Sequence, residues 1–110
     1  MNTPGQFDRL RSLALEGDLR GMSAALDAGA DVNAANLSHE TIFMHCCANN
    51  RLEAARLLAD RGADVNRQDH GGSTPMDFAL RYASRDFCDW LRRIGGREYD
   101  STAYTPTPGA

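Results

Sequence analysis

The pentapeptide Gly29-Ala30-Asp31-Val32-Asn33 recurs unchanged as Gly62-Ala63-Asp64-Val65-Asn66, 33 residues further on, and Gly95 stands one more interval along. A match at a fixed offset marks a chain that repeats one structural unit. The same offset carries Leu19 onto Leu52, Thr41 onto Thr74 and Leu58 onto Leu91, so the correspondence runs through the whole unit. A unit of this size cannot bury an apolar face alone. Neighbouring units must therefore stack and share one core.

The residues of each unit read as helix, turn, helix and hairpin. Thr74-Pro75 pairs a hydroxyl that can cap a free helical N–H with a proline at the first helical position, where its missing N–H costs nothing. Thr41 repeats the cap, with Ile42 in place of proline. The helix after it is short and rich in small side chains, as in Cys46-Cys47-Ala48, which lets adjacent units approach closely. The second helices carry the bulk at helical spacing: Leu26, then Leu57 and Leu58, then Phe87, Trp90 and Leu91. Gly29, Gly62 and Gly95 follow these helices where a left-handed residue ends the last turn. Val32 and Val65 are expected to point inward, with Asn33 and Asn66 holding the turn by side-chain hydrogen bonds.

On these residues the chain resembles the ankyrin-repeat family, whose pattern runs Asp-x-x-Gly-x-Thr-Pro-Leu-His-x-Ala and closes on Gly-Ala-Asp-Val-Asn. The best match is Asp69-His70-Gly71-Gly72-Ser73-Thr74-Pro75-Met76-Asp77-Phe78-Ala79, with Asp77 at the family's histidine. The resemblance implies an all-α repeat solenoid of helix-turn-helix units joined by β-hairpin-like turns. It divides a domain over 1–97 into an N-terminal capping repeat (7–35), a second repeat (36–68) and a C-terminal capping repeat (69–97). The second repeat has His39 at the turn glycine and Met44 at the histidine, so its first hairpin is expected to be less regular. Arg85, Asp86, Asp89, Arg92 and Arg93 are expected to give the last repeat its polar surface. Residues 98–110, rich in Ser, Thr, Pro and Gly, are expected to be disordered.

Charge and composition narrow the function. A net charge of −3 gives no general attraction to nucleic acid or anionic membrane, and neither is expected as a partner. No stretch reaches the roughly 20 apolar residues of a membrane span, and the first residues lack a signal pattern, so a cytoplasmic location is expected. Three cysteines, two of them adjacent, form no disulfide framework and suit reduced thiols. All 12 basic residues are arginine. This points to a GC-rich bacterial genome or, more sharply, to escape from lysine modification inside a host cell.

Met44-His45-Cys46-Cys47 is the one cluster that resembles reactive chemistry. Consecutive helical residues diverge by about 100°, so Cys46 and Cys47 cannot readily share a zinc ion, and both occupy positions where the family has small core alanines. Cys88 reads as another apolar core position. His45 has no orienting acid or oxyanion donor beside it in the sequence. No metal, cofactor or catalytic residue is therefore expected, and a thiol enzyme or redox sensor using Cys46 and Cys47 is the minority reading.

What remains is recognition. In the family, hairpin tips and the exposed side of the first helices form a concave face, which here takes in Leu37, Ser38, Glu40, Ala48 and Asn49 of the second repeat and His70, Ser73, Arg81 and Tyr82 of the third. Leu37 at a tip, and Arg81 with Tyr82, are the types that anchor interfaces. The expected role is a non-catalytic module that binds, inhibits or masks one protein partner, like an immunity protein or an adaptor. A secreted effector acting in a host cell is the alternative, and the expected oligomeric state is a monomer or a weak dimer.

Overall fold

The computed structural model describes residues 4–99. Six helices follow in order: α1 (Pro4–Glu16), α2 (Leu19–Asp27), α3 (Ile42–Ala48), α4 (Leu52–Asp60), α5 (Pro75–Tyr82) and α6 (Arg85–Arg93). Each odd-numbered helix pairs with the even-numbered one after it, and α1, α3 and α5 pack side by side as an inner layer. The stack is elongated, with principal extents of 47 × 32 × 19 Å. This is the all-α repeat solenoid that the ankyrin resemblance implies.

The helix starts follow from their caps. The Thr74 hydroxyl accepts the Asp77 N–H at 3.3 Å, and the Asp77 carboxylate accepts the Thr74 N–H at 2.9 Å. In the second repeat Thr41 accepts the Met44 N–H at 3.2 Å, but the return bond ends on the Met44 sulfur at 3.4 Å, a weaker acceptor. Thr74 is 5% exposed, and removing its hydroxyl leaves the part-buried Asp77 N–H without this acceptor. Thr74→Ala is expected to lower unfolding stability by about 1–2 kcal/mol in chemical denaturation. A loss below about 0.3 kcal/mol would show that the cap contributes little to folding.

The helix ends follow from glycine. Gly29, Gly62 and Gly95 have φ of 103°, 90° and 99°, a region costly for residues with a Cβ. The N–H after each reaches back to the last turn: Ala30 to the Ala25 carbonyl, Ala63 to Leu58 and Gly96 to Leu91, at 2.8–3.0 Å.

The core runs the length of the stack through Leu10, Met22, Phe43, Leu58, Met76, Phe87 and Leu91, all at most 1% exposed. Cys46 and Cys47 are wholly buried within it, and Trp90 sits at its edge at 9% exposure. Leu26, Leu57, Val32 and Val65 are partly buried and pack against this cluster.

Two expectations for the hairpins need correction. Asn33 and Asn66 do not hold their own turns. Asp31 and Asp64 do, accepting the Asn33 and Asn66 N–H groups at 2.9 and 3.0 Å. The asparagines instead tie one repeat to the next: Asn33 Oδ1 accepts the Asp64 N–H at 2.7 Å and Asn66 Oδ1 accepts the Arg97 N–H at 2.8 Å. Stacking brings the following hairpin within reach of a short amide side chain.

Nor is the hairpin containing His39 irregular. Its Asn36 N–H bonds to the Glu40 carbonyl at 3.0 Å, as Asp69 N–H bonds to Ser73. The side chains of Asn36 and Asp69 each accept two turn N–H groups at 2.9 Å. The isolated antiparallel bridge between Ala35 and Thr41 closes this hairpin. His39 adopts φ of 61°, against 85° for Gly72 one period on, so histidine accepts the left-handed turn that glycine takes elsewhere.

Candidate protein-binding surface

The tip of the second repeat presents Leu37 almost fully to solvent, at 96% exposure, with Ser38 and His39 exposed beside it. The two tips are tied by the backbone, His70 N–H donating to the Ser38 carbonyl at 3.0 Å. On the inner layer, Asn49 is exposed at the end of α3, and its side-chain amide donates to the His45 carbonyl at 2.8 Å. One period on, Tyr82 is 58% exposed at the end of α5, next to exposed Arg81.

Other candidates are less free. Glu40 is half-buried, accepts from the Asn36 amide at 2.8 Å and lies 3.5 Å from His45 Nε2, so it braces the hairpin against α3. Ser73 is half-buried, with its backbone closing the turn on Asp69. Ala48, where Arg81 stands one repeat later, is also half-buried.

The geometry adds an apolar residue that sequence reasoning missed. Leu80 is 46% exposed. It occupies the register position of Cys47, which the third repeat covers in the stack. Among the described residues no fourth repeat covers Leu80. Its groove is lined also by Phe78, Arg81, Asp77 and Tyr99, and the Tyr99 N–H donates to the Asp77 carboxylate at 3.1 Å. On α6 the polar residues expected at the surface, Arg85, Asp86, Asp89, Arg92 and Arg93, are all exposed.

The fold gives the His45 cluster a neighbour that its local sequence lacks. An acid does stand beside this histidine, because the hairpin folds Glu40 back to it. Its ring meets Phe7 edge-on at 5.5 Å, its Nε2 is buried without a hydrogen bond, and burial lowers its pKa against the pull of Glu40. Burial pushes the Cys46 thiol up to about 12 and Cys47 well above its ordinary value. Thiols held protonated in a packed core are poor nucleophiles.

The described fold defines a class, a short helical solenoid of stacked helix pairs joined by tight turns. A family model of ankyrin repeats, in three copies, matches residues 10–103, and the chain belongs to that family. It is 35% identical over 89 residues to serine/threonine-protein kinase 12 of Arabidopsis thaliana, covering 81% of this chain and 19% of that protein. It is 40% identical over 65 residues to the human ankyrin repeat and SOCS box protein 16, covering 59% of this chain and 14% of the relative. A putative ankyrin repeat protein of Rickettsia bellii is 30% identical over 63 residues, covering 57% of this chain and 38% of its own length. The chain thus spans only a minor part of the curated relatives it matches. The crystal structure of the human ASB11 ankyrin repeat domain superimposes with a TM-score of 0.74 at 23% identity, covering 87% of this chain and 41% of that one, which shows a common fold. Ankyrin repeats are generic protein-protein interaction modules, typically non-catalytic.

Proposed function

We propose that this chain binds one specific protein partner through the tips and inner helices of its second and third repeats, and that it inhibits or masks that partner or serves as an adaptor for it. The observation that carries this reading is Leu37, an aliphatic side chain held at 96% exposure on a turn that the Asn36–Glu40 backbone bond and the Asn36 side chain close. Solvation favours a polar residue there, whereas an apolar contact would bury it. Tyr82 and Arg81 supply anchors of the types enriched at interface centres, and Asn49 and Ser38 supply polar contacts around them. The three cysteines are free and buried, which suits a reducing, cytoplasmic setting.

Capture from cells of the source organism, with wild type beside a Leu37→Asp, Tyr82→Ala double variant, tests the face. Anchors of about 1–2 kcal/mol each predict partner binding at least about tenfold weaker in the double variant. Arg93→Ala, exposed at the end of α6 and outside the proposed face, should bind as wild type does. Undiminished binding by the double variant would remove this face from the interface.

A further inference from the structure

We infer that His39 and His70, on the tips of consecutive hairpins, form a two-imidazole site for a divalent d-block cation such as Zn²⁺, Ni²⁺ or Cu²⁺. The two rings lie with centroids 4.0 Å apart and planes tilted by 47°. Both residues are exposed, so a hydrated ion can reach them from solvent. With metal–nitrogen distances near 2.0–2.1 Å, two imidazoles on one ion place their centroids about 4.5–5 Å apart. The observed pair needs to open by about 0.5–1 Å, which side-chain rotation provides.

The backbone holds this arrangement. The bond from His70 N–H to the Ser38 carbonyl fixes one tip against the other. Asn36 and Asp69 lock each turn from within, so the imidazoles are brought together before any ion arrives. His39 also occupies a left-handed position, φ 61°, that glycine takes in the next repeat. The turn therefore accommodates glycine, and what the histidine adds is an imidazole ring 4.0 Å from a second one.

Competing donors are closed off. Cys46, Cys47 and Cys88 are buried, and His45 Nε2 is buried beside Glu40. Among the described residues no three His, Cys, Asp or Glu side chains converge on one point. Two protein ligands leave the remaining coordination positions to water or to a donor from another molecule, and imidazole selects zinc, nickel or copper over magnesium and calcium. The site lies on the same tips as the proposed partner-binding face, but the ion needs no protein partner to bind, so its titration is read independently of partner capture.

The test is titration of the untagged full chain with Ni²⁺ alone, followed through the histidine ring protons by NMR and through heat by calorimetry. Ring signals of His39 and His70 should broaden together at sub-stoichiometric Ni²⁺ while those of His45 stay sharp. Losing even an outer-shell partner weakens metal sites by about 10–100-fold, so His39→Gly and His70→Gln should each bind at least about tenfold more weakly. His39→Gly should fold at least as well as wild type, because glycine takes positive φ without strain, so its loss of binding cannot be charged to misfolding. Absence of saturable binding to wild type, equal affinity in either variant, or broadening confined to His45 would overturn the assignment.

Discussion

Phe87→Ala is expected to lower unfolding stability by about 3–5 kcal/mol, the cost of truncating a fully enclosed aromatic side chain. Phe87 has no exposed surface and meets Trp90 edge-on at 5.7 Å. Trp90 in turn reaches Phe43 of the second repeat at 6.2 Å, so the cavity opens where the second and third repeats join. In a stack held by nearest-neighbour interfaces, damage there uncouples the third repeat from the second first. A domain of this size has roughly 5–15 kcal/mol in total, so the remainder is marginal, and the melting temperature should fall by more than about 12 °C. Trp90 is the only tryptophan and reports directly through its fluorescence. Leu37→Ala, at a solvated tip, should change stability by less than about 0.5 kcal/mol. A Phe87→Ala loss under about 1.5 kcal/mol would mean that the third repeat is not closed over this ring.

The features legible in the sequence are those set within one unit. Threonine caps, glycine helix ends and the leucine and aromatic faces of the outer helices each depend on neighbours a few residues away. Their physical reasons are therefore local, and the period of 33 shows them more than once. The features that escaped depend on the next unit. Asn33 bonds to Asp64 and Asn66 to Arg97, each pair 31 residues apart, and these contacts exist only after stacking. Glu40 lies five residues before His45, a separation that carries no signal of contact until the hairpin folds back. Leu80 sits at a register position that is buried in the second repeat, and its exposure follows from what does not cover it.

The same division holds for the candidate surface. The register identifies Leu37, Asn49, Arg81 and Tyr82 as positions that the scaffold leaves free, and all four are exposed. It cannot show that Glu40 is engaged with Asn36 and His45, because that depends on side-chain direction within a turn. The contact between His39 and His70 has the same character. The residues are 31 apart and occupy different positions in their turns, so no repeat pattern pairs them.

Thiol labelling is expected to show the second large effect, with Cys46 and Cys47 of the native chain reacting at least about a thousandfold more slowly at pH 8 than those of the denaturant-unfolded chain. Burial raises the Cys46 thiol to about 12, so it is thiolate in about one molecule in ten thousand at pH 8, against about a quarter for an exposed thiol near 8.5. Both side chains are also wholly enclosed, so reagent must wait for the stack to open. Cys88, at 7% exposure and raised less strongly, should label ahead of them. The same shift makes stability depend on pH. Below the ordinary thiol range both states hold the proton and the contribution is fully present. Above about pH 9 the unfolded thiols ionise while the native ones stay protonated, so the native state binds more protons and stability falls by about 1.4 kcal/mol per pH unit for each thiol. Replacing both Cys46 and Cys47 by alanine, the residue in the matching registers at Ala79 and Ala14, should flatten that alkaline decline. Rapid native labelling of Cys46 and Cys47, or an unchanged alkaline slope in the double variant, would take these thiols out of the core and return them to the thiol chemistry that their burial argues against.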